Sequence, residues 1–242
     1  VNARASVLPG YDRRALGNLH VLLAGCGGLG GEIGHGLVRD GVGQIALVDH
    51  DLVELSNLNR QRFYQEDLYQ NKALRLAHNL IREAVEPLTV IGVAMRVQDA
   101  IEHAAVPRID AVICGVDNNE TRAFLARWAL AHRVPVIFTA VNETADFGYV
   151  FVQKSKFGEP CFGCLFPDAV TQSGGAPCSG GASIDILKTV AGLVLYALGA
   201  QFMPGRPLHW VYKETDLTGA QQDGNRSITL RSNCPLCGRD AR

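Results

Sequence analysis

The sequence predicts an α/β fold built on a doubly wound, mostly parallel sheet, and three features predict it. Short apolar runs alternate with segments whose apolar residues fall at helical spacing. The first run ends in a glycine-rich turn of the kind that joins a strand to a helix. The runs are unbroken rather than alternating, as expected of strands covered on both faces. From Gly148 onwards the texture changes, and β-like segments with paired cysteines replace the alternation.

The first run, 21–24, leads into Gly25-Cys26-Gly27-Gly28-Leu29-Gly30. Ile33, Leu37 and Val38 follow at helical spacing, closing at Gly41 or Gly43, and a second run, 45–48, ends in Asp49. This is a βαβ unit of the expected length. A polar loop rich in Asn and Arg covers 51–65, and a helix over 71–85 is predicted with Leu74, Ala77, Leu80 and Ile81 on its buried face. Strands are predicted at 89–93, 111–115 and 136–140, with a helix over 121–132 between the last two. Beyond these come a strand at 149–152, a long loop at 161–181 rich in Gly, Ser and Pro, and a helix at 184–198. Two β-like segments near Trp210 and Ile228 complete an antiparallel C-terminal extension. No internal repeat or low-complexity tract interrupts the chain. It reads as one domain over 1–242, with a nucleotide-binding half at 18–145 and a second half at 146–242 that carries a crossover loop at 165–183.

Composition narrows the function classes. The 242 residues are 47% hydrophobic and 19% charged, enough for an ordinary core. Net charge is −1, from 23 basic and 24 acidic side chains, which argues against nucleic-acid binding by bulk electrostatics but leaves a local basic pocket open. No stretch reaches the roughly 18 apolar residues needed to cross a bilayer. The longest late run, 189–202, is interrupted by Gly192 and Gly199. No signal-peptide pattern is visible, so a cytoplasmic protein is expected.

Gly25-x-Gly27-x-x-Gly30 after a strand, with Asp49 ending the next strand, fits a dinucleotide-type fingerprint. Glycines let backbone approach phosphate, the helix start offers unpaired N–H groups, and a carboxylate at Asp49 can accept from ribose hydroxyls. That much suits a nicotinamide dehydrogenase as well as a nucleotidyl transferase. Downstream charge separates the two, because a triphosphate needs cations and a metal to offset its oxygens. Ser56-Asn57-Leu58-Asn59-Arg60-Gln61-Arg62 and, twelve residues after Arg60, Lys72 supply them. Asp117 and Asn118 follow a strand at the carboxyl edge, where a carboxylate can hold Mg²⁺.

These residues together resemble the ThiF/MoeB/HesA family, bacterial relatives of ubiquitin-activating enzymes. The family pattern is G-x-G-G-L-G, a strand ending D-x-D, then S-N-L-x-R-Q, a later lysine, and an Asp-Asn pair. Here it falls on Gly25 to Gly30 (Gly28 included), Asp49 and Asp51, Ser56 to Gln61, Lys72, and Asp117-Asn118. The resemblance extends over nearly the whole chain. It implies a Rossmann-like fold and an adenylyltransferase that uses ATP and Mg²⁺, with Asp49 on ribose, Arg60 and Lys72 on phosphates and Asp117 in the magnesium role. It also implies a substrate that is a small ubiquitin-like, sulfur-carrier type protein ending in Gly-Gly, and a homodimer. Relatives open with an arginine that reaches the partner's ATP. Here Arg4, Arg13 and Arg14 are the candidates, set close to the first strand. A peptide or a modified tRNA base as the carboxylate substrate is the rival reading of the same chemistry; an oxidoreductase and a silent binding module are further ones.

The seven cysteines divide by spacing. Cys161-x-x-Cys164 and Cys234-x-x-Cys237 are two tight pairs about 70 residues apart, the pattern of a structural Cys₄ zinc site. A redox C-x-x-C usually opens a helix, and the Pro-rich flanks argue against that here. Gly163 and Gly238 leave room for N–H groups to approach sulfur. Cys178, in a loop of small residues ahead of the 184–198 helix, is the candidate for a thioester or sulfur-transfer step. Cys26 and Cys114 are expected as small core residues.

Overall fold

The strands at 21–24, 45–48, 111–114 and 136–139 are buried on both faces because they lie between two helical layers, whereas 89–93, at the sheet edge, is only partly covered. The computed structural model describes residues 8, 10–106, 108–171, 182–220 and 224–238. Along the chain, α1 (Arg13–Gly17) leads to β1 (His20–Ala24), α2 (Gly28–Asp40), β2 (Gln44–Val48), α3 (Lys72–Glu83) and β3 (Thr89–Val93). Then come α4 (Val97–Glu102), β4 (Ala111–Cys114), α5 (Asn119–His132), β5 (Val136–Val141) and β6 (Phe147–Gln153). The chain continues with α6 (Phe162–Leu165), α7 (Pro167–Thr171), α8 (Ile184–Phe202), β7 (Tyr212–Asp216) and β8 (Asn225–Arg226).

The sheet order is β3-β2-β1-β4-β5-β6-β7-β8. The first five strands are parallel, and β6, β7 and β8 run antiparallel to their neighbours. This is the mostly parallel, Rossmann-like α/β sheet with an antiparallel C-terminal extension. Period-two alternation sorts β1 into two cores: Val21 and Leu23 face α2, α3 and α8, while Leu22 and Ala24 face α4 and α5. β1 and β4 are neighbours although the chain visits β2 and β3 between them. Their carboxyl ends therefore form the topological switch point where such sheets bind ligands.

Contrary to the expectation from the 189–202 run, α8 as a whole, 19 residues from Ile184 to Phe202, is apolar enough by length and composition to cross a membrane. It is instead a core helix: Ile186, Leu187, Val190, Val194 and Ala197 are buried against the sheet and α2.

Four local expectations change. On α3 the buried face is Ala73, Leu76, Ala77 and Leu80, whereas Leu74 and Ile81 are about half exposed. α3 sits tight on β3, where a Cβ at Gly92 would lie 2.6 Å from the Ala73 carbonyl oxygen. Small residues must therefore face the strand. The segment expected as a continuous loop over 161–181 begins with two short helices, α6 and α7; residues 172–181 lie outside the described ones. Ile228 is in irregular structure beyond β8, although its side chain packs on the core. α1 and α4 add helices that were not foreseen, each too short for its periodicity to show.

Candidate active site and metal centre

At the switch point the β1–α2 turn and the β4–α5 turn meet backbone to backbone. Gly25 has φ 90°, and a Cβ there would sit 3.0 Å from the Gly115 carbonyl oxygen. A Cβ at Gly30 would lie 2.0 Å from the Gly25 oxygen, so the helix can dock on its own turn only with glycine at that position. α2 starts at Gly28 without a side-chain cap, which leaves its leading N–H groups for a ligand. On the open side, a Cβ at Gly27 would find its nearest neighbour, Gln61 Nε2, only at 3.9 Å. The turn is thus a cradle with backbone on one side and free space on the other.

That space is a cleft of about 590 Å³, within the size range of small-molecule sites. It is lined by Gly25, Gly27, Gly28, Asp49, Asp51, Asn57, Arg60, Gln61, Lys72, Asp117 and Asn118, which brings eleven of the sequence-predicted residues to one place. Gly30 stands behind the turn. Cys178 lies outside the described residues.

Asp49 directly follows β2 and fixes the turn. Its Oδ2 accepts from the Cys26 N–H at 2.7 Å and its Oδ1 from the Asp51 N–H at 2.8 Å. Burial raises its pKa above the ordinary carboxylate value, while those two N–H groups and Lys72 pull the other way. A carboxylate has about four lone-pair positions, so acceptor capacity remains beyond these two bonds. Lys72 Nζ donates to Asp51 Oδ2 at 3.0 Å and is mostly covered. Asp49, His50 and Asp51 bring ligand atoms within 4.8 Å of one another, but two of the three carry the protein contacts just described.

The 51–71 connection holds the next group. Asn57 is buried and its Oδ1 accepts from the Glu54 N–H, closing a 3₁₀ turn over Leu55–Asn57. Arg60 Nη1 donates to the Ser56 carbonyl oxygen and to Asn59 Oδ1, which sets its guanidinium at the cleft edge. Arg62 turns away: its Nε and Nη2 donate to both carboxylate oxygens of buried Glu32, and its Nη1 reaches Glu83. Of the two arginines in the segment, only Arg60 faces the cleft. Asp67, fully buried, ties the connection to α3 through Arg75, Asn79 and the Tyr64 N–H.

Across the cleft Asp117 is exposed, and among the described residues its carboxylate has no hydrogen-bond or ion-pair partner. Asn118 caps α5, its Oδ1 accepting from the Thr121 N–H at 2.8 Å. Sequence reasoning missed Arg122, which also lines the cleft and bonds to the same turn. The signal was its place in the first turn of the helix that follows Asp117-Asn118.

The N-terminal arginines lie elsewhere. Arg13 packs on Gly41 and pairs with Glu86, at the end of the sheet opposite the cleft. Arg4 is outside the described residues.

The four paired cysteines converge. All four sulfur atoms lie within 4.8 Å of one another, with Cys161 Sγ 3.9, 3.5 and 3.4 Å from those of Cys164, Cys234 and Cys237. Tetrahedral zinc with Zn–S near 2.3 Å requires sulfurs about 3.8 Å apart, so the set fits that ion. The Leu236 N–H points at Cys234 Sγ from 3.4 Å, whereas the Gly238 N–H bonds the Cys234 carbonyl instead. One expectation is corrected: Cys161 does open a helix, as N-cap of α6. Two pairs meeting at one point carry the metal reading without that argument. Cys26 and Cys114 are fully buried, as expected of core thiols, and burial pushes the Cys114 thiol up to about 11.

Fold and cleft together define a nucleotide-binding α/β protein with a cysteine cluster at its C-terminal end. The chain matches the ThiF family over residues 2–236 and belongs to it. It is 31% identical to a sulfur carrier protein adenylyltransferase of Thermus thermophilus over 90% of this chain and 82% of that one. It is 30% identical to the adenylyltransferase and sulfurtransferase MOCS3 of Danio rerio, covering 93% of this chain but only 49% of that protein. Among solved structures, E. coli MccB with ATP superposes with a TM-score of 0.77 at 19% identity, over 93% of this chain and 68% of that one, a likeness of fold. The relatives named here are adenylyltransferases of the ThiF/MoeB type.

Proposed function

We propose that this protein adenylates the C-terminal carboxylate of a small ubiquitin-like, sulfur-carrier type protein ending in Gly-Gly, with ATP as the nucleotide and pyrophosphate released. One observation carries the reading: an open glycine cradle, Asp49, Arg60, Lys72 and Asp117, unpaired among the described residues, surround one cleft at the switch point. The named relatives support the sulfur-carrier class of substrate. The substrate carboxylate attacks the α-phosphorus, the bond to the bridging oxygen breaks, and pyrophosphate departs with that electron pair, leaving an acyl adenylate. Both reactants are anionic, so the protein contributes alignment and neutralisation. The N–H groups at the start of α2 bind phosphate oxygens, Asn57 and Gln61 hold those oxygens in place, and Arg60 and Lys72 offset their charge. Asp49, already anchoring the turn, accepts from ribose hydroxyls. Magnesium at Asp117 would supply further neutralisation, and the carboxylate's exposure and its lack of a partner among the described residues fit that role.

Residues 1–242 act as one adenylation unit, with 18–145 holding nucleotide and 146–242 holding substrate. Zinc at Cys161, Cys164, Cys234 and Cys237 would tether the C-terminal tail to the start of α6, and its binding energy would add to folding. A cytoplasmic setting keeps those thiols reduced. A later thioester or sulfur-transfer step through Cys178 is part of the proposal and rests on sequence position alone. Exposed Leu52, Leu55, Tyr69, Leu74 and Ile81, all within 52–81, are apolar surface that a homodimer would cover. ATP–pyrophosphate exchange tests the core of the reading. Exchange that requires a Gly-Gly-ending carrier and vanishes in Asp117→Ala supports it; exchange driven only by a short peptide, or by none of these, overturns the substrate class.

A further inference from the structure

Arg122 is a charged side chain in an unexpected place. It lines the cleft beside Asp117, yet among the described residues it pairs with no carboxylate, and its buried Nε has no hydrogen-bond partner. Its two remaining nitrogens are committed to the turn that carries Asp117. Nη2 donates to the Val116 carbonyl oxygen at 2.8 Å, and Nη1 donates to Asn119 Oδ1 at 3.0 Å. One guanidinium thus grips the residue before Asp117 and the second residue after it. Asn118, capping α5, adds a third restraint.

The surroundings show that this is an expensive arrangement for stability alone. Arg122 acts electrostatically on the buried Cys114 thiol and the buried Tyr149 phenol, both pushed up by burial and neither a counter-ion at neutral pH. Arg122 is partly buried, and a partly desolvated cation whose buried Nε has no partner and that meets no carboxylate among the described residues carries a cost to folding. A neutral side chain of similar length would fill the same space without that cost. What only a planar guanidinium does here is reach two oxygens at fixed spacing.

We infer that Arg122 is a positioning residue: it clasps the Gly115–Asn119 turn so that the otherwise unsupported Asp117 carboxylate is held in place for its ligand. This rests on the magnesium role proposed for Asp117 and extends it. Groups that orient a metal-binding carboxylate from behind commonly contribute about 10- to 100-fold to metal affinity or activity.

The test measures binding of a non-hydrolysable ATP analogue by calorimetry, with MgCl₂ and with EDTA, alongside the melting temperature of each variant. The unaltered protein binds more tightly with Mg²⁺. Arg122→Met is expected to lose that Mg²⁺-dependent gain by about tenfold or more, as Asp117→Asn does, while its melting temperature stays level or rises. Arg122→Lys, which can reach one oxygen but not both, recovers part of the gain. Should Arg122→Met not fold, Asn119→Ala removes one arm of the clasp and is expected to lose severalfold. A full Mg²⁺ gain in Arg122→Met, or in Asn119→Ala if that is the variant used, overturns the positioning role while leaving the magnesium reading intact. A full gain in Asp117→Asn, or none in the unaltered protein, sinks the magnesium reading and this inference with it.

Discussion

Replacing Asp67 by alanine should unfasten the connection that carries Asn57, Arg60 and Gln61. Asp67 is fully buried, and its Oδ2 accepts from the Tyr64 N–H at 2.9 Å and from Asn79 Nδ2 at 2.8 Å, while Oδ1 faces Arg75 Nε. Truncation strands a buried amide and a backbone N–H and leaves Arg75, about one-fifth exposed, without its partner. Hydrogen bonds to a charged group contribute about 1.5–3 kcal/mol each, and breaking a buried pair on one side costs about 3–5 kcal/mol. Those contributions overlap, and water relieves Arg75 in part, so Asp67→Ala should cost about 3–4 kcal/mol in urea unfolding. Asp67→Asn keeps the shape and should cost roughly half that. The pH dependence has a definite sign. Burial pushes this carboxyl up, but Asn79, the Tyr64 N–H and Arg75 together pull it below its ordinary value. Its contribution is therefore full above the unfolded carboxylate pKa of about 4 and is lost as pH falls through the lower native value. The gap between the unaltered protein and Asp67→Asn should narrow below about pH 4. A cost under about 1 kcal/mol for Asp67→Ala would refute the reasoning.

Further expectations are read from other parts of the structure. Prolonged chelation, or Cys234→Ser, should remove one zinc per chain and lower the melting temperature by at least about 5 °C; unchanged melting with no metal detected would refute the zinc site. Gly30→Ala forces a Cβ to 2.0 Å from the Gly25 oxygen, and it should cost about 1–3 kcal/mol and at least tenfold in ATP affinity, measured by calorimetry. Arg13→Ala should leave exchange within about twofold and cost no more than about 1 kcal/mol, since its partially exposed ion pair with Glu86 lies at the far end of the sheet. A large loss of exchange would mean that Arg13 reaches a second chain's site after all.

What the sequence made legible follows the strength of each signal. β1, α2 and β2 could be placed almost to the residue because an unbroken apolar run, a glycine turn and a terminal acid each have one structural explanation. The α3 face could not, because hydrophobicity alone favours Leu74 and Ile81, while close docking on Gly92 favours the smaller Ala73 and Ala77. Asn79 is buried for a reason invisible in periodicity: it serves Asp67. Arg62 and Arg60 look alike in sequence, and only buried Glu32 on α2 decides which of them turns inward. Arg122 was not singled out; its bonds to the Val116 carbonyl and to Asn119 depend on how α5 meets the β4 turn, a tertiary contact with no local signature. α6 and α7 hide among Gly and Pro because neither is long enough to show a period.

The most direct test of the central claim is covalent labelling of a substrate protein. The chain would be incubated with ATP labelled at the α-phosphate and a sulfur-carrier protein ending in Gly-Gly, and the carrier recovered under acid quench. The account predicts label on the carrier's C-terminus, absent when its last glycine is blocked as an amide and absent in Asp117→Ala and Lys72→Ala. Label on no carrier, from a protein that binds ATP tightly and is correctly folded, would contradict it.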